Sequence, residues 1–150
     1  IAAEESLPRI ARWLRSELGE DLAILIELGK ALAEPSQAVI ARVVDIRRTG
    51  EGRREAVLDG GVSLVPQVAA FPHRMAVIRR ATVTALGPGH DILLGPLCME
   101  SDRLADGVAL PPDLEVGDLV ALCDAGAYDA SMAYRFGRGG VRESASTDAR

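Results

Sequence analysis

The sequence contains a single lysine, Lys30, so any chemistry that needs a side-chain amine has one candidate. It contains two cysteines, Cys98 and Cys123. Two do not make a disulfide framework, and a reducing cytoplasm is the expected compartment. There is no extended basic run and the formal net charge is −5, which argues against a nucleic acid or an anionic membrane as partner. No apolar stretch approaches the ~20 residues that a bilayer span requires, and the acidic opening IAAEES is not a signal peptide. No internal repeat is visible, and no metal site is expected. The first residue is Ile and not Met, so an excised or proteolysed fragment is expected.

What is present reads as one globular domain or a piece of one. The chain has 150 residues, 48% apolar and 26% charged, enough to bury about two-thirds of its unfolded surface. SLPRIARWLRSELG (6–19) offers Ser6 as an N-cap, apolar Leu7, Ile10, Leu14 and Leu18 at helical spacing, and Gly19 as a stop. This predicts a helix over 7–18. DLAILIEL (21–28) is a short apolar run suited to a buried strand at 22–28. AVIARVVDIRR (38–48), the turn TGEG and RREAVLDGG (53–61) read as a β-hairpin. Further strands are expected at MAVIRRATVTAL (75–86), closed by GPGHD, at ILLGPLC (92–98) and at VGDLVALCDAG (116–126). YDASMAYRF (128–136) suits one or two helical turns, and the Gly/Ser/Arg-rich residues 137–150 are expected to be a disordered tail. Strands without intervening helices indicate an antiparallel sheet or barrel. The leading helix and strand look foreign to it, like the last unit of an α/β barrel.

The stretch GPLCMESD (95–102) places a thiol, Cys98, within four residues of two acids, Glu100 and Asp102, just after a Gly-Pro turn. The plain reading is a strand end with a buried cysteine and solvated acids. In context the stretch says more. GPLCMESD, then LPPDLEVGDLVALCDAGAY (110–128) and SMA (131–133), resembles the C-terminal region of the fold-type III pyridoxal-phosphate (PLP) decarboxylases, the group of diaminopimelate, ornithine and arginine decarboxylases. IELGKALAEPSQAVIARVVDIR (26–47) looks like that family's EPGR segment and the strand after it, and VLDGG (57–61) and FPH (71–73) follow in order.

The resemblance implies a mainly β fold: an antiparallel barrel- or sandwich-like C-terminal domain of the alanine racemase/decarboxylase type over 31–136. Residues 1–30 would be the end of an α/β barrel. It implies a PLP-dependent amino-acid carboxy-lyase in which Cys98 is the catalytic proton donor, its thiol mostly protonated at neutral pH. Glu100 and Asp102 would face the substrate's distal ammonium. Glu27, Gly29 and Lys30 of ELGK, with Tyr128 of GAY, would contact the cofactor, Glu27 as the anion beside the ring nitrogen. Lys30 and Leu28 stand where the motif has arginine and proline, and lysine lacks arginine's bidentate fork. Cys123 reads as core. The segment VSLVPQVAAFPHRM (62–75) lacks the arginine and tyrosine with which diaminopimelate decarboxylases grip a substrate carboxylate; His73 and Arg74 are the candidates to compensate. The family's barrel and its Schiff-base lysine have no counterpart here, so this chain alone is expected to be inactive. A homodimer sharing its sites, completed by a barrel portion or subunit, is the expected assembly. A non-catalytic relative that binds and regulates a decarboxylase, and a free-standing β-module, remain as other readings.

Overall fold

A computed structural model describes residues 3–136, apart from residues 20, 28 and 81. The expected tail, 137–150, lies outside the described residues. Helix α1 runs Ala3–Leu18, starting before Ser6, so that residue lies within the helix and does not cap it. It ends as expected, with Gly19 at φ +86 and its N–H bonded to the Arg15 carbonyl. The side of α1 that carries Ile10, Trp13 and Leu18 is exposed, Trp13 at 60%.

The strand expected at 22–28 is not formed: described residues 21–27 have no regular structure, and Leu25 is 92% exposed. A run that is apolar save for Glu27 belongs to a strand flanked by others and covered on both faces, and the described residues supply no such neighbour. A short helix α2 (Lys30–Ala33) and a 3-10 turn (Glu34–Ser36) then lead into the sheet.

Seven strands form one curled sheet: β1 (Val39–Arg48), β2 (Arg54–Leu58), β3 (Met75–Arg79), β4 (Thr82–Ala85), β5 (Pro88–Leu94), β6 (Arg103–Val108) and β7 (Leu119–Leu122). The order is β4-β3-β7-β1-β2-β5-β6. Every pairing is antiparallel except β2 with β5, which is parallel. The mainly β fold expected from the turns is therefore present, and the first hairpin turns where TGEG stands, with Arg48 opposite Arg54. A short helix α3 (Asp129–Met132) follows β7.

Three features depart from the sequence reading. Residues 75–86 are a tight hairpin and not one strand: Arg79 pairs with Thr82, and Arg80 takes φ +42. Two-residue hairpins need such left-handed backbone, which normally calls for Gly, Asn or Asp, so an arginine hides the turn. Pro88–His90, read as a closing turn, begins β5 through a run of register shifts. Strand β6 was not expected at all; its DG pair reads as a turn, yet Gly107 at φ +82 lies in the strand.

Alternation in β1 puts Ala41 and Val43 inside and Ile40, Arg42 and Val44 outside. With Leu58, Val65, Leu93, Val120 and Leu122 the inward residues make one core. Burial of this kind is worth roughly 1.5–3 kcal/mol for each large aliphatic side chain. The core holds the connecting loops in place, and those loops carry the residues of interest.

Candidate active site

The GPLCMESD loop joins β5 to β6, and its base is built around Asp102. That carboxylate is 2% exposed. One oxygen accepts the Val62 N–H at 2.8 Å and the other the Leu97 N–H at 2.7 Å. The Gly95 N–H bonds the Asp102 carbonyl, and the Asp102 N–H bonds the Met99 carbonyl. Gly61 and Gly95 make room for the carboxylate, because a Cβ on either would overlap it. Asp102 is thus a buried brace, with both oxygens committed to backbone donors. The expectation that it faces a substrate ammonium is corrected: a carboxylate in that condition braces a loop and presents no charge at the surface. The thiol and the other acid are presented. Cys98 and Glu100 are both exposed at the tip of the loop, so the reading of Cys98 as a buried cysteine fails here.

The segment that carries Val62 runs from Asp59 to Arg74 and connects β2 to β3, which are not neighbours in the sheet. Asp59 starts it: its carboxylate accepts the Arg42 N–H at 2.7 Å and its own N–H bonds the Arg42 carbonyl. The far end is fastened by a second buried acid, Asp129, which is 1% exposed. Its Oδ1 accepts the Gln67 N–H at 2.9 Å, and its Oδ2 lies 2.8 Å from His73 Nε2. His73 Nδ1 lies 2.9 Å from the Phe71 carbonyl oxygen. Two buried aspartates therefore tie one connecting segment to the Cys98 loop at one end and to the Tyr128 turn at the other.

Tyr128 itself is 55% exposed and sits at φ +67, in the left-handed region, as the residue that opens α3. The AGA turn before it is pressed against the 30–37 segment: the Ala125 N–H bonds the Gln37 carbonyl and the Gly126 N–H the Glu34 carbonyl, both at 3.0 Å. A Cβ at Gly126 would overlap the Ala33 carbonyl, so only glycine fits this approach. Lys30 is brought close by the same contact. Its ammonium pairs with Glu34 at 3.2 Å and lies 4.9 Å from the Phe71 ring centre. Glu27 and Gly29 are exposed. The structure thus gathers Lys30, Tyr128 and the 61–73 loop into one neighbourhood, with the Cys98 loop joined to it through Val62.

The two basic groups expected to replace a carboxylate grip, His73 and Arg74, are each paired with an aspartate. Arg74 makes a bidentate pair with Asp124, Nε to Oδ2 at 2.7 Å and Nη2 to Oδ1 at 2.5 Å. Those hydrogen bonds hold the Asp124 carboxyl below the usual carboxylate range and raise the Arg74 guanidinium in turn. His73 is buried against Asp129. Burial closes His73 to a substrate carboxylate, whereas the Arg74 side chain stays 77% exposed with its guanidinium engaged by Asp124. Sequence reasoning missed Asp129, Gln67 and Phe71; the one available signal was an acid in the first turn of a helix, which says nothing of a distant histidine. Among the described residues no cluster of His, Cys, Asp and Glu could hold a metal ion.

Residues 33–126 match the family model of the pyridoxal-dependent decarboxylase C-terminal sheet domain. The chain belongs to that family. The chain is 30% identical over 120 residues to a diaminopimelate decarboxylase of Helicobacter pylori, covering 79% of this chain and 29% of that one. It is 34% identical over 117 residues to one of Actinosynnema pretiosum subsp. auranticum, covering 74% and 25%. Among solved structures it superposes on the H. pylori diaminopimelate decarboxylase complexed with L-lysine with a TM-score of 0.67 at 28% identity, over 83% of this chain and 30% of that one. The arginine decarboxylase of Paramecium bursaria Chlorella virus gives 0.72 at 23% identity, over 89% and 37%, and shares the fold. The chain thus spans 29% and 25% of the length of the two curated relatives. The family is pyridoxal-dependent, and Cys98, Glu100 and Tyr128 are exposed and so accessible to a cofactor or substrate from outside this domain. The residues here do not fit the cofactor's covalent anchor, since the one lysine is paired with Glu34 against Phe71. No helix among the described residues is long and apolar enough to cross a membrane.

Proposed function

We propose that this chain provides the C-terminal sheet domain of a PLP-dependent amino-acid decarboxylase of the diaminopimelate type, and that Cys98 is its proton donor. The observation that carries this reading is the Cys98 loop, whose tip exposes a thiol and a carboxylate while its base is held by the buried Asp102. Residues 31–136 would form the sheet domain and residues 1–30 the end of the barrel. A site shared across a cytoplasmic homodimer, with the lysine-bearing barrel completing it, would use a loop that reaches outward on a rigid base. When bound, PLP supplies the sink for the electron pair left as CO₂ departs. Cys98 would give its proton to the carbon that lost CO₂ and regain one from solvent. Rigid presentation favours this, because a general acid depends on position as well as acidity.

Glu100, and not Asp102, is then the acid for a cationic distal group. The engagement of Arg74 by Asp124 and of His73 by Asp129 fits a substrate whose far end is held through its ammonium. Tyr128 would touch the cofactor, with Lys30 fixing the segment beside it.

The test is Cys98→Ala in the complete enzyme. Turnover is expected to fall about 10²-fold or more, with substrate affinity changed little. Near-normal turnover would make the loop a structural feature only.

A further inference from the structure

Both ring nitrogens of His73 face acceptors. Nδ1 lies 2.9 Å from the Phe71 carbonyl oxygen, and Nε2 lies 2.8 Å from the Asp129 carboxylate. A carbonyl oxygen only accepts, so Nδ1 must carry a hydrogen. With Nδ1 as donor, the Nε2–Oδ2 contact needs one further proton between a ring nitrogen and a carboxylate, whichever atom holds it. Histidine and aspartate at this distance therefore act as a unit carrying one shared proton, enclosed at 7% and 1% exposure. The second carboxylate oxygen takes the Gln67 N–H, so every acceptor and donor of the pair has a place.

The pair adjoins Tyr128, one of two non-glycine residues in the 123–128 segment, with Asp124, that hold a left-handed backbone. Its φ is +67, a conformation in which a non-glycine residue persists only when its surroundings impose it. On its C-terminal side the Tyr128 carbonyl accepts the Met132 N–H at 2.8 Å and the Ser131 hydroxyl at 2.9 Å. On its N-terminal side the AGA turn is pinned to the 34–37 segment. Asp129, next in the chain, is the anchor that binds this turn to the 61–73 loop.

We propose that the His73–Asp129 pair, joined by one shared proton, is the positioning element that holds Tyr128 in place for its contact with the cofactor. The proposal rests on the reading of Tyr128 given above. It gives a role to two buried residues whose task is to orient a third, neither of them touching the reacting atoms.

The experiment is a double-mutant cycle in the complete enzyme with Tyr128→Phe, Asp129→Asn and the two combined, read as the dissociation constant for pyridoxal phosphate from its absorbance. Each single variant is expected to weaken binding about tenfold, the size of one lost hydrogen bond, and the pair together also about tenfold. An Asp129→Asn enzyme that binds like the parent overturns the proposal. So does a double variant weakened about a hundredfold, which is the outcome of an independent structural role. If Tyr128→Phe alone binds like the parent, the cofactor contact of Tyr128 is wrong and the proposal falls with it; the variant that fails tells the two apart. Should Asp129→Asn not fold, His73→Asn takes its place in the same cycle, and the same outcomes support or overturn the proposal.

Discussion

Asp102 holds Val62 across 40 residues of sequence: its Oδ1 accepts the Val62 N–H at 2.8 Å in a site closed to water. The same carboxylate takes Leu97 with its other oxygen. One side chain therefore sets the base of the Cys98 loop and the start of the 61–73 segment together. Removing it leaves two backbone donors without partners. Asp102→Ala should cost about 2–5 kcal/mol, seen as a lower denaturant midpoint with an unchanged slope. A loss under about 0.5 kcal/mol would mean that water replaces the carboxylate at no penalty.

Gly61→Ala and Gly95→Ala should each disturb the same site from the backbone side, because either new methyl meets the Asp102 carboxylate. Both should destabilise the fold, by about 1–3 kcal/mol as overpacking does. Gly87→Ala is the control, since a Cβ there meets nothing within 4 Å. Equal melting temperatures for all three would refute the close approach.

Lys30 pairs with Glu34 and lies by the Phe71 ring. Mixing this chain with pyridoxal phosphate and reducing with borohydride should leave no stoichiometric adduct on Lys30. Mass spectrometry of the digested protein checks it, and a full adduct would show that the amine is released from its ion pair at little cost.

Acid should loosen the sheet. Hydrogen bonds from Arg74 depress Asp124, and those from Arg79 depress Asp118. Burial pushes Asp91 up, yet its bonds to the Arg54 side chain and backbone leave it lowered overall. A carboxyl whose folded pKa lies below its unfolded value stabilises fully above the unfolded value, about 4. That stabilisation is lost as pH falls through the folded value. Melting temperature should therefore hold from neutral pH down to about 5 and drop below about 4. Asp124→Asn should flatten part of that drop; a profile unchanged by it would show that the Arg74 pair contributes nothing.

Glu100 and Asp102 should separate in kinetics. Glu100→Gln in the complete enzyme should raise KM strongly with kcat changed little, because a charge-assisted contact to the substrate is lost. Unchanged KM would remove Glu100 from the substrate's far end.

The order of motifs, from ELGK through GPLCMESD to GAY, determined the family by itself, since each is a short local pattern that survives without its surroundings. The β-rich fold was legible too, because AVIARVVDI alternates and TGEG closes a hairpin, and both are local properties of the chain. The tertiary structure decided what each acid does. Glu100 and Asp102 stand two residues apart and look alike in the sequence. One is exposed, and the other is buried beneath Gly61 and Gly95, because the loop from a distant hairpin folds over it. The His73–Asp129 contact spans 56 residues, and no periodicity links its ends. The apolar run at 22–28 shows the opposite limit, for its pattern encodes a buried strand only when neighbouring strands are there to bury it. Local propensity is written in the chain, whereas burial and hydrogen-bond partnership are properties of what the chain is folded against.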